Sequence, residues 1–167
     1  MLFRSLADTT YDAFGATHIL CNNAGVVARH EAWGPLADWE WVLGVDLWGV
    51  IHGVRSFVPR MLEGGEEGHV MNTASTAGLL AFPGIASYNV AKRGVVALTE
   101  TMHHELARTP LSVSVLCPGV VDTRIGESER NRPGARPPAS SAGSTPTANE
   151  TLDPTEVAEL VVTGIRT

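Results

Sequence analysis

Residues 87–94 read Ser-Tyr-Asn-Val-Ala-Lys-Arg-Gly, and the stretch contains Lys92, the only lysine in a chain with 12 basic residues. Tyr88 lies four residues before Lys92, and apolar side chains at steps of three and four predict a helix from about Ser87 to Arg108. Residues four apart share one face of a helix, so the phenol and the ammonium should project together. An adjacent ammonium favours the phenolate and lowers the pKa of a tyrosine, so we predict that Tyr88 exchanges a proton near neutral pH.

A Tyr-x-x-x-Lys match alone is weak evidence, because chance produces one in about one chain in three of this length. The alternative interpretation is an exposed helical lysine with no special role. The chain has one lysine and two tyrosines, however, and chance places the lysine at this spacing about once in a hundred such compositions. The pair therefore favours a functional site.

Strand-like and helix-like segments alternate along the chain, which is typical of an α/β fold with a parallel sheet. The predicted strands are residues 18–21, 69–74 and 112–117, and the predicted long helices are residues 37–63 and 87–108. A chain of 167 residues is long enough for one domain with a core and too short for two. We therefore predict a single α/β domain over residues 1–167.

The overall charge excludes two classes of partner. The formal net charge is −6 and the isoelectric point is about 5.4, which removes the attraction that nucleic acid or an anionic membrane surface requires. Arg4, Asp8 and Asp12 interrupt the first twenty residues, so no signal peptide is predicted, and no apolar run approaches the length of a membrane-spanning helix. The sequence predicts a cytoplasmic protein with neither nucleic acid nor membrane as a partner.

The cysteines and histidines predict neither a disulfide nor a metal site. Cys21 and Cys117 are far apart and each ends a strand-like run, which favours reduced, buried side chains. The run His103-His104-Glu105 lacks the second histidine four residues on that a helical zinc site requires. No metal ligand is therefore predicted.

Residues 126–150 contain no aromatic, leucine, isoleucine, valine or methionine side chain and are rich in proline, glycine, serine and alanine. Such a segment cannot bury itself, so it is interpreted either as a disordered linker or as a mobile lid that orders over a ligand. Beyond it, Asp153 precedes Pro154, and Glu156 stands three residues after Asp153, which predicts a helix with Asp153 as its N-cap. The apolar stripe of that helix is predicted to comprise Val157, Leu160, Val161 and Ile165.

Four motifs with a chemical interpretation occur in one order: Asn22-Asn23-Ala24-Gly25, Ser75 thirteen residues before Tyr88, the Tyr88 and Lys92 pair, and Cys117-Pro118-Gly119-Val120-Val121-Asp122-Thr123. In these motifs the sequence resembles the short-chain dehydrogenases/reductases, from about residue 10 to its end. Joint occurrence is far more specific than any one motif. The resemblance implies a Rossmann-like, doubly wound parallel sheet, of which this chain supplies the fourth to sixth strands and their helices, with residues 126–150 as a flexible substrate loop.

The resemblance also implies an activity, the transfer of a hydride between NAD or NADP and a ketone or secondary alcohol. Tyr88 would be the general acid/base, Ser75 would hydrogen-bond the reacting oxygen, and Lys92 would also hold the nicotinamide ribose. Besides Tyr88 and Lys92, the implied cofactor contacts are Asn22, Ala24 and Gly25 on the adenosine side and Pro118, Gly119, Val121 and Thr123 at the nicotinamide end. The expected partner is a small carbonyl or alcohol substrate, with a homo-oligomer formed through the two long helices as a further expectation.

The chain departs from the family pattern at two places. Asp46 stands where the family has an asparagine that organises a proton-relay water beside the lysine; aspartate keeps an acceptor and adds a negative charge, and Asp46 joins the candidate catalytic residues. The 17 residues before His18 contain no glycine-rich phosphate loop. Gly44, Gly49 and Gly53 lie within a helical pattern and are interpreted as packing glycines.

The absence of a glycine loop and of a closing strand leaves alternatives to the enzyme open. One is a truncated, non-catalytic relative that binds a full-length protein of the family through the open edge of the strand at residues 18–21. A weaker alternative is a carbonyl-binding module that keeps Ser75 and Tyr88 without a cofactor.

Overall fold

The computed structural model describes residues 2–134 and 151–166. Its elements in chain order are α1 (Leu2–Phe14), β1 (Ile19–Asn22), α2 (Leu36–Leu43), a π-helical turn (Gly44–Trp48), α3 (Gly49–Gly64), β2 (Gly68–Thr73), a 3-10 turn (Thr76–Gly78), α4 (Ala86–Leu106), β3 (Leu111–Leu116), β4 (Val120–Val121), a 3-10 helix (Arg124–Asn131), β5 (Thr151–Leu152) and α5 (Pro154–Arg166). Residues 124–132 are named the clasp segment below. The alternation of strands and helices confirms the predicted α/β class, and the three predicted strands lie within one residue of their expected bounds.

The strands β1, β2 and β3 form a parallel sheet in that order. Val70 in β2 pairs with Leu20 of β1 on one side and with Val113 of β3 on the other, so the carboxyl ends of all three strands reach the same edge of the sheet. The four central residues of β2 are buried, whereas β1 alternates between exposed and half-buried residues. In the described ranges β1 has a neighbouring strand on one side alone, which confirms the expected open edge.

The core lies between the sheet and the helices that pack against it. Its largest cluster joins buried side chains from α1, α3, β2, α4 and β3, namely Ala7, Phe57, Val58, Met61, Val70, Met102, Leu106 and Leu111. The helix α1 was not expected from the sequence, although Phe3, Ala7 and Tyr11 repeat at helical spacing. α1 leads into β1 through residues 15–18.

The predicted helix over residues 37–63 is a helical path from Leu36 to Gly64 that widens into the π-helical turn at its centre. The interpretation of Gly44, Gly49 and Gly53 as packing glycines holds for only some of them. A Cβ on Gly53 would lie 2.1 Å from Oδ1 of Asn22, so Gly53 is required by close packing. Gly44 is not a packing glycine, because a Cβ there would meet no atom within 4 Å.

Two predictions about individual side chains are corrected. Both cysteines are free, but Cys21 is exposed because it lies on the outer strand of the sheet, and Cys117 is only partly buried.

No helix in residues 2–134 and 151–166 has the length and apolar character needed to cross a membrane. Those residues also contain no group of three or more His, Cys, Asp or Glu side chains placed to hold a metal ion.

The disordered-linker interpretation of residues 126–150 is wrong for its first part. Residues 126–131 belong to a 3-10 helix, and Ser128 within it is buried. The composition of this helix offers little apolar surface to bury, so polar contacts hold it instead. Residues 135–150 lie outside the described residues.

The final helix begins where the sequence predicts. Oδ1 of Asp153 accepts hydrogen bonds from the backbone N–H of Thr155 at 2.7 Å and of Glu156 at 3.3 Å. These bonds lower the pKa of Asp153. The predicted apolar stripe is only partly covered by the rest of the protein, since Leu160 is 69% exposed and α5 contributes no buried residue.

Candidate active site

The predicted catalytic side chains gather at the carboxyl ends of the strands. Ser75 follows β2 and begins the 3-10 turn, while Tyr88 and Lys92 lie in the first turns of α4. The helical spacing places Tyr88 and Lys92 on one face, as predicted. This edge is where parallel α/β sheets bind their ligands.

The ammonium of Lys92 is buried and lies between two protein oxygens. Its Nζ donates to the carbonyl oxygen of Thr73 at 3.0 Å and lies 3.2 Å from Oδ2 of Asp46. The same nitrogen is 5.4 Å from the centre of the Tyr88 ring. An ammonium has three N–H donors, so even with one directed at each of these oxygens a donor remains for the hydroxyl of a ligand.

Asp46 is fully buried at 0% exposure and lies in the π-helical turn, a distortion that is frequent at functional sites. Its Oδ1 accepts from the backbone N–H of Val26 at 2.8 Å. Its Oδ2 is close to Lys92 but lacks a well-formed hydrogen bond. Burial raises the pKa of Asp46, and the charge of Lys92 and the Val26 bond oppose that rise without cancelling it.

The environment of Tyr88 contradicts one prediction from the sequence. Burial raises the pKa of Tyr88 above its ordinary value, an interaction with the Ser75 hydroxyl lowers it, and the charge of Asp46 raises it further. The expected lowering by Lys92 is therefore wrong in direction for this structure. The reason is that burial of the half-buried phenol disfavours the phenolate, while the neighbouring ammonium is paired with Asp46.

Ser75 is held by the turn that follows it. Its Oγ accepts from the backbone N–H of Ala77 at 3.2 Å, and the side chain is 8% exposed. The next residue, Thr76, donates its backbone N–H to the carbonyl oxygen of Pro118 at 2.9 Å. The serine turn and the predicted nicotinamide-contacting segment are thus adjacent.

The Asn22–Gly25 segment divides into an inward part and an outward part. Nδ2 of Asn22 donates to Oδ1 of Asn72 at 2.8 Å, and Nδ2 of Asn72 donates to Oγ1 of Thr99 at 3.0 Å. The Asn22 side chain therefore stabilises the end of β1. Ala24 is exposed, and a Cβ on Gly25 would lie 3.4 Å from both Oδ2 of Asp46 and Nζ of Lys92.

The predicted nicotinamide-end residues do not all approach the site in the same way. Pro118 is half-buried beside the serine turn, and Gly119 is exposed. Val121 pairs with Leu152 in the short sheet of β4 and β5. Oγ1 of Thr123 accepts from the backbone N–H of Ile125 at 3.4 Å and so caps the clasp segment.

The clasp segment carries contacts that sequence reasoning did not find. Oγ of Ser128 accepts from the backbone N–H of Val27 at 3.1 Å, in the loop after β1. The guanidinium of Arg132 forms an ion pair with Asp38 and lies 4.5 Å from the centre of the Trp41 ring. No motif marks these residues, because their partners are distant in the sequence.

A nicotinamide cofactor fits one end of this site. Lys92 has a donor to spare, Oδ2 of Asp46 is buried without a well-formed hydrogen bond, and the backbone at Ala24 and Gly119 is accessible. These features suit the ribose and nicotinamide. A glycine-rich turn for the pyrophosphate is absent from the described residues before β1, where residues 15–18 join α1 to the strand.

A Rossmann-like parallel sheet with serine, tyrosine and lysine converging at its carboxyl edge defines the class of the protein. The chain belongs to the short chain dehydrogenase family, whose sequence model matches residues 3–134.

Relatives and solved structures agree with this assignment. The 1-deoxy-11-beta-hydroxypentalenate dehydrogenase of Streptomyces avermitilis is 40% identical over 123 residues, which cover 72% of this chain and 46% of that protein. A short chain dehydrogenase/reductase from Burkholderia phymatum, crystallised in complex with NAD, is 41% identical with a TM-score of 0.77, over 99% of this chain and 57% of that one. An alcohol dehydrogenase from the archaeon Thermococcus sibiricus, complexed with 5-hydroxy-NADP, shares the fold with a TM-score of 0.79 at 22% identity, over 99% of this chain and 63% of that one. The chain spans about half the length of the curated relatives it matches.

Proposed function

We propose that the protein is an NAD(P)-dependent oxidoreductase that transfers a hydride between the nicotinamide cofactor and a ketone or secondary alcohol. The observation that carries the proposal is the convergence of Tyr88, Lys92 and Asp46 with Ser75 at the carboxyl edge of the sheet. The similar Burkholderia protein binds NAD, and the similar Streptomyces protein is a dehydrogenase. Both relatives support the proposal.

The cofactor supplies the hydride, because protein side chains cannot. The residues of this chain handle the proton and orient the oxygen. The hydroxyls of Ser75 and Tyr88 donate hydrogen bonds to the carbonyl oxygen as negative charge develops on it. Because its pKa is raised, Tyr88 retains its proton at neutral pH and acts as the acid in the reducing direction. Alcohol oxidation requires the phenolate, so its rate should rise as the pH approaches that raised pKa.

Lys92 and Asp46 act on the geometry and charge of the site. The Thr73 carbonyl and Asp46 fix the ammonium, which then presents its remaining donor to a ribose hydroxyl. The raised pKa of Asp46 makes it a proton acceptor that is more basic than an ordinary carboxylate. We include it as a member of the proton path behind Lys92.

The test compares Tyr88→Phe with Tyr11→Phe in the purified chain. Oxidation of NADH and of NADPH is measured with cyclohexanone as the probe ketone. General acid catalysis contributes about 100-fold to 10,000-fold, so Tyr88→Phe should lose at least about 100-fold of the rate, and Tyr11→Phe should stay within about twofold. Full activity of Tyr88→Phe would refute the acid/base role.

We further propose that the protein acts in the cytoplasm and assembles as a homo-oligomer. Its cofactor is NAD or NADP. Fluorescence titration with NADH and NADPH measures the preference, and light scattering of the eluting chain measures its mass. Saturable binding of either cofactor at micromolar concentration supports an enzyme.

A second candidate is a non-catalytic chain that binds a full-length relative through the edge of β1. The observation that favours it is the exposure of this strand, in which Ile19 is 53% exposed. Lysine at an edge strand opposes pairing with another chain, so Ile19→Lys should reduce any association seen by light scattering. Absence of cofactor binding, together with such association, would favour this candidate over the enzyme.

A further inference from the structure

The helix that carries Tyr88 does not cap its own first turn. Its N-cap residue is Ile85, which has no polar side chain to accept a hydrogen bond from the free N–H groups of the helix. The loop after β1 compensates through the backbone of His30. The carbonyl oxygen of His30 accepts from the N–H of Ala86 at 3.4 Å, and the N–H of His30 donates to the carbonyl oxygen of Gly84 at 2.9 Å.

The imidazole of His30 adds a second link to the same turn. Nδ1 lies 2.8 Å from the carbonyl oxygen of Glu31, and Nε2 lies 2.8 Å from Oγ of Ser87. A carbonyl oxygen only accepts, so Nδ1 donates to Glu31, and in the neutral form of the ring Nε2 accepts from the Ser87 hydroxyl. His30 is 6% exposed and Ser87 is 0% exposed, so water does not compete for this bond.

Packing holds the imidazole in one position. A Cβ on Gly34 would lie 2.7 Å from Cβ and Nδ1 of His30, so the backbone of Gly34 packs closely against the imidazole. The ring of Trp39 lies 5.6 Å from it, centre to centre. With a fixed ring, the direction of the bond to Ser87 is fixed too.

Ser87 directly precedes Tyr88, so a link that fixes Ser87 also fixes where the phenol projects. We propose that His30 is a positioning residue, which acts through Ser87 and the first turn of α4 to hold the Tyr88 hydroxyl toward Ser75 and Lys92. The inference rests on the proposed function, because it assigns His30 to the same reaction. His30 and Ser87 are 57 residues apart in the sequence, so no local motif indicates this link.

The test measures Tyr88 directly and needs no turnover. In the full chain carrying Tyr11→Phe, Tyr88 is the single tyrosine, and the ultraviolet absorbance of the phenolate reports its titration alone. The compared variants are His30→Ala, Ser87→Ala, their double variant, His30→Gln, and His103→Ala as a control on the exposed side of α4. Circular dichroism verifies the fold of each.

We expect His30→Ala and Ser87→Ala each to lower the titration midpoint by about 0.5 pH units or more, because a loosened turn exposes a phenol whose pKa burial raises. The double variant should shift no further than either single variant, because both remove one link. His30→Gln, which keeps an acceptor near the position of Nε2, should restore the wild-type midpoint, and His103→Ala should leave it unchanged. In the active protein, His30→Ala should lower kcat about tenfold and leave KM for cyclohexanone within about twofold.

An unchanged midpoint in folded His30→Ala, or shifts that add in the double variant, would overturn the proposal. If His30→Ala does not fold, Ser87→Ala decides in its place, since it removes a single hydroxyl. Failure of the proposed function is distinguishable from failure of this inference. Full activity in Tyr88→Phe refutes the proposed reaction. The titration tests the link from His30 to Tyr88 whether or not the chain turns over.

Discussion

The region from β1 to α4 and the region from β4 to α5 are held in place by different forces. α4 buries side chains along its whole length, from Ser87 to Leu106, and Lys92 lies among them at 2% exposure, beside the fully buried Asp46 of the π-helical turn. In contrast, α5 buries none, and the clasp segment buries Ser128 alone among its described residues. Packing fixes the groups whose protonation matters, whereas polar contacts with the loop after β1 and with α2 hold the clasp segment. A segment with few buried apolar contacts belongs to the less stable part of a fold.

Lys92→Met tests the packed region most severely. The substitution removes the ammonium that forms an ion pair with Asp46 and donates to the Thr73 carbonyl in a buried site, and breaking such a buried pair costs about 3–5 kcal/mol. The free energy of unfolding in urea measures the loss, with Arg108→Met as an exposed control that should stay within about 0.5 kcal/mol. A loss below about 1 kcal/mol would mean that the ion pair does not stabilise this region. Adding Asp46→Leu to Lys92→Met should recover part of the loss, because no unpaired charge then remains.

Gly53→Ala tests how tightly the same region is packed. The new Cβ would lie 2.1 Å from Oδ1 of Asn22, so the side chain that bonds to Asn72 must move. Overpacking of this kind costs about 1–3 kcal/mol. The matched variant is Gly44→Ala, where the Cβ meets no atom within 4 Å and the helix should gain about 0.5–1 kcal/mol. Opposite signs for the two alanines in thermal or urea unfolding confirm the comparison; equal effects contradict it.

The pH dependence of stability should report Asp46. Its pKa is raised above the ordinary value of 3.8, so the folded protein binds this proton more tightly than the unfolded chain does. The contribution is fully present below 3.8 and is lost as the pH rises through the raised folded pKa. Relative to Asp46→Asn, the wild type should lose unfolding free energy as the pH rises from about 4, at no more than about 1.4 kcal/mol per pH unit. Asp122→Asn, at an exposed site, is the control, and parallel profiles for the wild type and Asp46→Asn would contradict the prediction.

Arg132→Ala should have the smallest effect on the free energy of global unfolding. It should also clearly increase local opening of the clasp segment. It removes an ion pair to Asp38 and a contact with the Trp41 ring, which together contribute about 1 kcal/mol. Hydrogen exchange should increase in the clasp segment and stay unchanged in α4, and high salt should produce part of the same increase in the wild type. Arg55→Ala on α3 serves as the control. Faster exchange throughout the sheet would show that the clasp segment belongs to the packed core after all.

Local patterns in the sequence predicted the elements that hold the site. Periodicity placed α4 and three strands, and the interval between Tyr88 and Lys92 placed both on one helical face. The N-cap at Asp153 was equally local, because capping joins residues two and three positions apart. The four ordered motifs led to the family, which the match over residues 3–134 confirms.

Other features depend on residues that are far apart in the chain. Ser128 binds the backbone of Val27, 101 residues away, and His30 binds Ser87 across 57 residues. The pKa of Tyr88 could not be judged from its neighbour Lys92 alone, because burial raises this pKa and the charge of Asp46 raises it further. The exposure of Cys21 followed from the position of β1 in the sheet, which a short apolar run does not reveal.

The sequence by itself determined which chemical groups are present and, through helical and strand periods, which of them share a face. Tertiary structure alone decided the direction in which the pKa values of Tyr88 and Asp46 shift, the partner of His30 and the attachment of the clasp segment. The physical reason is that periodicity acts over a few residues, whereas desolvation and ion pairing depend on every atom that packing brings near a group.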